Sequence, residues 1–557
     1  MLRVLPALTV LAMLGPVAAG LMGAVLPAMG HLPAAGFQGP SIVAVERLLA
    51  WPGLSAACRL SVTTGLLATF MSLLIVTLIV AGWSGTRAFA WLERLLSPLL
   101  SVPHAAAAFG LAFLIAPSGW LARIAAPLAG WERPPDLLIV GDPWGLSMTA
   151  GLIAKEVPFL LLMTLAALPQ SQAGPSMEVA RSLGYGRVAG WLKAVFPRVY
   201  AQIRLPVYVV LAYSMSVVDV ALILGPTTPG TLSVQIVRWM GAPDLGMRMV
   251  AAAAALLQFA LVIGALAFWR LGEWAVTRLG RRWAEGGGRG AAEPVLRGAG
   301  LTLAGISAGV VLLGLVGLAM WSFAGPWRYP DLTPDALTLR SWSRHFPGLR
   351  DAARDTFVVA GVAAIIALAL TVGCLEAEHR ARRPPSRAAT WLLYLPLLVP
   401  QTAFLPGLQS FLLSLGADVG RVPVIGAHLV FVLPYVFLSL GDPWRAWDPR
   451  YATVAAALGA TPGRALLRVR LPMLLRPVLT AAAVGVAVSV GQYLPTLLIG
   501  GGRVATLTTE AVALASGGDR RAIGVFSLAQ TGAALFPFAL AVALPALIFR
   551  NRRGLHG

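Results

Sequence analysis

Long apolar runs, many of about 20 residues or more, alternate along the chain with short segments rich in Arg, Gly and Pro. A helix of about 20 apolar residues crosses the ~30 Å hydrocarbon core of a bilayer. The pattern predicts about 12 transmembrane helices. Six lie in the first half, near 5–29, 60–83, 95–116, 146–169, 204–225 and 249–269. Six lie in the second, near 300–324, 356–375, 390–414, 422–441, 476–499 and 526–549. The ~10-residue alternating segments of a transmembrane barrel are absent, so the expected fold class is an all-α polytopic membrane protein.

Two of the polar interruptions match each other. "EVARSLGYGRVAGWLKAVFP" runs from Glu178 to Pro197, and "TVAAALGATPGRALLRVRLP" runs from Thr453 to Pro472. At a constant offset of 275, Glu178 aligns with Thr453, Ala180 with Ala455, Leu183 with Leu458, Gly184 with Gly459 and Pro197 with Pro472. Each copy falls between the fourth and fifth spans of its half. The chain therefore reads as two tandem six-helix units, 1–270 and 299–557, joined by a polar, Gly-rich segment at 271–298 that contains "EGGGRGAAEP". Parallel repeats of this kind place a substrate path between the halves.

The second copy is the clearer in local chemistry. Asp448 reads as an N-cap with Pro449 at the first helical position, and a short helix runs through Leu458 until Gly459 stops it. Thr461 caps a second short helix that Pro462 opens, and Leu471-Pro472 turns the chain back towards the membrane. The first copy repeats this with Pro175, Gly184 and Pro197. One such helix pair alone is as consistent with an interfacial helix resting on anionic lipid. Its recurrence at matched positions favours a protein docking surface.

Composition agrees with a membrane chain. Of 557 residues, 58% are hydrophobic and 12% charged, about half the charge of a soluble protein. The formal net charge of +20 is explained by basic cytoplasmic loops, not by nucleic-acid binding. With the N-terminus inside, most of the 43 Lys and Arg fall on the cytoplasmic side. They include Arg3, the cluster Arg181, Arg187, Lys193, Arg198 and Arg204, the pair Arg382 and Arg383, and Arg550, Arg552 and Arg553. Both termini are expected in the cytoplasm. The first run has features of a signal peptide but exceeds an ordinary signal core in length and has an equivalent in 300–324. Cys58 and Cys374 form no metal spacing and read as small packing residues. No metal or cofactor is expected.

Polar groups inside a span are costly and mark candidate path residues. Asp219 and Gln492 follow the two matched loops at similar distances and read as approximate repeat partners. His104 and Gln401 each follow a proline in the third span of their half, where freed backbone groups need partners. Lys155 and Glu156 are adjacent inside the fourth span, so they point in different directions. Each has a structural alternative, a hydrogen-bonded contact between packed helices, and His428 is expected to be of that kind. The loops with Thr231-Leu232 and Thr506-Leu507 keep the 275 offset and are candidate outer surfaces.

The motif E-x-A-x-x-L-G, followed thirteen residues later by a hydrophobic-Pro pair, resembles the EAA loop of permeases of binding-protein-dependent ABC importers. Two units in one chain resemble the fused thiamine and ferric-iron permeases of that family. The resemblance implies the type I importer fold, with the EAA loops as coupling helices that dock on two copies of a cytoplasmic ATPase subunit. It also implies a periplasmic substrate-binding protein delivering a small solute at a bacterial inner membrane. Thiamine-like cations, ferric iron, sulfate-like anions and polyamines all remain open as solutes, the first two favoured by analogy. Thr453 stands where the family carries an acid. The chain has no phosphate-binding loop of its own, so ATP hydrolysis is expected on a separate subunit and this chain is expected not to be an enzyme. "GISAG", Gly305 to Gly309, matches a serine-hydrolase pattern but lies in an apolar run without the strand-to-helix elbow that would expose Ser307; small residues packing between helices are the expected reason for it. The alternative class is an ion-coupled secondary transporter using Asp219, Lys155 and Glu156.

Overall fold

The computed structural model describes residues 4–33, 36–290, 292–381, 387–417 and 419–548. Arg3, Arg382, Arg383, Arg550, Arg552 and Arg553 of the charge pattern lie outside the described residues.

The first unit contains α1 (Leu5–Ala28), α2 (Val43–Leu49), α3 (Leu54–Trp83), α4 (Arg87–Ser101), α5 (His104–Ile115), α6 (Trp120–Ala129) and α7 (Leu146–Ala167). It continues with α8 (Ala173–Ser182), α9 (Arg187–Ala194), α10 (Phe196–Ser216), α11 (Asp219–Leu224), α12 (Leu232–Met240) and α13 (Met247–Glu285). The second contains α14 (Glu293–Phe323), α15 (Arg340–Ala381), α16 (Arg387–Leu398), α17 (Gln401–Ser414), α18 (Arg421–Arg445), α19 (Arg450–Ala457) and α20 (Pro462–Ala465). It ends with α21 (Leu471–Met473), α22 (Leu475–Val490), α23 (Leu494–Gly500), α24 (Leu507–Ala513) and α25 (Arg520–Ile548).

Among the described residues, nine helices are long and apolar enough to cross a membrane, and two bent pairs bring the number to eleven. The remaining expected span is α10, whose first half carries Arg198 and Arg204. The fold is thus an all-α polytopic membrane protein of two tandem units.

Four expected spans are broken in the structure. The third span of each unit breaks at a proline, Pro103 before α5 and Pro400 before α17. The second of these breaks bends the chain by 84°. Proline lacks the amide that would continue the helix and disfavours helical geometry in the residue before it. The fifth span breaks at 217–218 in one unit and 491–493 in the other. The expected linker is also shorter than its composition suggests. α13 extends to Glu285 and α14 begins at Glu293, because the charged stretch after 270 continues as helix beyond the apolar run.

The units interlock through their first helices. α1 packs on α15, α17 and α18 of the second unit, while α14 packs on α3, α5 and α7 of the first. Glycines permit the close approach in both places. A side chain at Gly20 or Gly23 would strike the backbone of Phe404 or Gly407. One at Gly110 would strike Gly314, and the reverse. By contrast, a side chain at Gly305 or Gly309 would meet nothing, so the "GISAG" glycines do not serve helix packing as expected. Ser307 sits buried within α14.

Candidate functional site

The two matched loops fold alike. α8 and α19 each end in a left-handed glycine, with Gly184 and Gly459 both at φ 78°. Tyr185 N donates to Ala180 O at 3.1 Å and Gly184 N to Arg181 O at 2.9 Å. The second copy repeats both bonds, Ala460 N to Ala455 O and Gly459 N to Ala456 O, each at 2.9 Å. This is the Schellman termination, and glycine adopts its left-handed position without the steric cost that a Cβ brings. Ala180 and Ala455 face inward and are buried. Leu183 and Leu458 point outward at 58% and 83% exposure, so these leucines form the tips of the loops and not their internal packing. Glu178 and Thr453 are exposed on α8 and α19. Pro197 and Pro472 lie in the first turns of α10 and α21.

The cap at Asp448 is displaced by one position. α19 starts at Arg450, and Asp448 Oδ1 accepts from Arg450 N at 2.9 Å. Thr461 caps as expected, its Oγ1 accepting from Arg464 N at 3.3 Å. An anchor of the second loop escaped the sequence reading. Arg470 is buried, donating from Nη1 to Glu376 Oε2 at 3.0 Å and from Nη2 to Trp444 O at 2.8 Å. Its guanidinium lies over Trp444 and Trp447. The signal available was Glu376 at the end of an otherwise apolar run. The equivalent position in the first copy is the buried apolar Val195.

The candidate path residues gather at the helix breaks. His104 opens α5, and its Nε2 lies 3.6 Å from Glu156 Oε1, while its ring packs tilted at 55° with its centre 4.9 Å from that of Tyr213. Asp219 opens α11 just after the break in span five and is buried, within electrostatic reach of His104 and Tyr213. Gln401, opening α17, donates from Nε2 to Gln492 Oε1 at 3.2 Å. The first unit thus brings carboxylates and a histidine together where the second brings two neutral amides. Tyr435 and Tyr493 of the second unit reach Glu156 and Asp219 electrostatically. Tyr213 belongs to this cluster by contact with His104, and sequence reasoning singled out none of these tyrosines.

Lys155 stands apart. Its Nζ donates to Leu99 O at 2.7 Å and Val102 O at 2.6 Å, the carbonyls that the break at Pro103 leaves without helical partners. It is the C-terminal cap of α4. His428 bonds Ser489 Oγ at 2.7 Å and Thr496 Oγ1 at 2.8 Å in the interior of the second unit, as a packed histidine does. Thr231 and Thr506 cap the short helices α12 and α24. Leu232 N donates to Ser61 Oγ at 3.1 Å and Leu507 N to Thr356 Oγ1 at 2.9 Å. These four residues are buried in the body of the protein, because a cap whose next amide bonds a neighbouring span has to lie against that span, whereas Thr227, Thr228, Gly501, Gly502 and Arg503 of the same loops are exposed.

The sequence profile of the binding-protein-dependent transport system inner membrane component matches residues 365–551, which include the second loop. The chain is 32% identical over 517 residues to the inner membrane ABC transporter permease protein YnjC of Escherichia coli (strain K12), covering 92% of each. It is 39% identical over 80 residues to the molybdenum transport system permease protein ModB of Mycobacterium tuberculosis, 14% of this chain and 30% of that one. It is 25% identical over 136 residues to the spermidine/putrescine transport system permease protein PotC of Haemophilus influenzae, 24% of this chain and 53% of that one.

Proposed function

Because the chain belongs to the family of inner-membrane permease components of binding-protein-dependent transport systems, we propose that it passes a small solute from a periplasmic binding protein to the cytoplasm. ATP hydrolysis on two copies of a separate subunit drives the transfer, and those subunits dock on the loops around Gly184 and Gly459. In this reading both termini are cytoplasmic and the domains are 1–270 and 299–557.

The observation that carries the reading is the repeated loop geometry. In each copy a buried alanine and a left-handed glycine hold one leucine outward. An exposed apolar tip between short helices is suited to a partner's groove. The ion-coupled alternative gives no reason for the loop to occur twice, and Lys155 serves it poorly because its ammonium is engaged in capping α4. The path runs between the units, past His104, Glu156 and Asp219 on one side and Gln401 and Gln492 on the other. Its carboxylates favour a cationic solute, in line with the thiamine or ferric-iron analogy.

The test is co-purification of the ATPase subunit with the tagged chain. Leu183→Asp combined with Leu458→Asp should leave membrane insertion intact and abolish co-purification. Retention of the ATPase at wild-type level would refute docking on these loops.

A further inference from the structure

The segment that joins the two units is docked on the first loop. By the 275 offset, the counterpart of the capping residue Thr461 is Gly186, which has no side chain to cap α9. Glu293 takes over that role from the far side of the linker: its Oε1 accepts from Val188 N at 2.7 Å and from Ala189 N at 3.1 Å. Helix N-terminal amides favour a carboxylate. The two positions are complementary, since a Cβ at 186 would strike the Glu293 side chain.

Neighbouring contacts hold the same segment in place. Gly186 N donates to Arg289 O at 3.2 Å, and Lys193 Nζ donates to Gly288 O at 2.8 Å. The Lys193 ammonium also lies 4.5 Å from the Trp283 ring centre. Trp83 Nε1 donates to Arg297 O at 2.8 Å. Glu293 is also the first residue of α14, the helix of the second unit that packs on α3, α5 and α7 of the first.

We propose that Glu293 is the positioning residue of the first docking loop and that the contacts made on that loop by 286–290 and Glu293 act as a strut carrying its movement directly into α14. The proposal rests on the docking role given under Proposed function. The second loop is capped by its own Thr461 and anchored on Glu376 through Arg470. The two loops therefore connect to the membrane domain by different mechanical routes.

The test uses the full chain with its co-purified ATPase in lipid vesicles, as wild type, Glu293→Ala, Glu293→Gln, and Glu293→Ala combined with Gly186→Thr. The double variant replaces the cap locally while leaving the strut cut. Amide hydrogen exchange should rise over 187–194 in Glu293→Ala, stay unchanged over 462–470, and fall back in the double variant. ATPase binding should persist throughout. ATP hydrolysis should drop at least about five-fold in Glu293→Ala and in the double variant, the lower end of coupling between linked sites, and recover in part with Gln. Wild-type hydrolysis in either Ala-bearing variant would overturn the strut, as would unchanged exchange over 187–194. Failure of the wild-type chain to bind the ATPase would instead overturn the docking reading on which the strut depends.

Discussion

At the scale of single residues, the buried charges divide into structural and functional kinds by what they touch. Lys155 hydrogen-bonds only backbone carbonyls at a helix break, whereas Glu156 lies 3.6 Å from His104, whose ring lies beside Tyr213, and Asp219 is buried at the next break of the same unit. Lys155→Met should therefore destabilise the fold, by about 1–3 kcal/mol for each carbonyl left without a donor, visible as a lower melting temperature in detergent. Asp219→Asn is isosteric and should melt as the wild type does while uptake is lost. The reverse pattern, a stable Met variant that fails to transport, would mean that Lys155 serves the path. His104, Gln401 and Gln492 were legible because a polar residue beside a proline or glycine stands out in an apolar run, and Asp219 because a charge stands out in one. The role of Lys155 was not, since its partners are carbonyls more than fifty positions away, exposed only once the helix breaks. The tyrosines were hidden for another reason: a tyrosine in an apolar run reads equally well as a membrane-interface residue.

At the scale of elements, the repeated loop was readable to within about two residues because caps and stops depend on local chemistry; α8 starts at Ala173, ahead of Pro175, and the chain bends at Leu474, after Pro472. Asp448 and Pro449 show the limit: the carboxylate caps from one position further out than drawn. The left-handed Gly459 meets nothing within reach of an added Cβ, so Gly459→Ala isolates backbone strain from crowding. That substitution should cost on the order of 1 kcal/mol, since alanine is disfavoured at positive φ. It should loosen the α19–α20 turn, measured as faster amide exchange at Ala460, with α22 unaffected. Equal exchange in the two proteins would mean that the turn is held by its neighbours. The ends of the long helices were the least legible feature. The stretch after Arg270 is polar and carries glycines, yet it continues α13 because helix already in place propagates at little cost. The docking of 286–290 and Glu293 on the first loop was also out of reach, since a Gly-rich polar segment looks like solvated chain until its partner Gly186 is placed beside it.

At the scale of the whole molecule, two units were legible from the offset of 275, but their interlocking was not, because glycines in apolar runs carry no signal of which helix they meet. Gly110 and Gly407, at matching places in α5 and α17, each receive the first helix of the other unit. Gly110→Leu or Gly407→Leu should hold those helices apart at about 1–3 kcal/mol or more of overpacking, seen as aggregation on size-exclusion chromatography. Monodisperse chain at wild-type yield would mean that other contacts join the units. The interlock also bears on how the protein is made. α1 is made well before its partner: the α17 surface that Gly20 and Gly23 fit is synthesised roughly 380 residues later, some 20–80 s at about 5–20 residues per second. Throughout that interval the glycine face of α1 is open to lipid or to any other helix inserted nearby. The N-terminal half of this chain is therefore a waiting intermediate, and a ribosome stalled before α17 would leave in the membrane a helix whose intended partner does not yet exist.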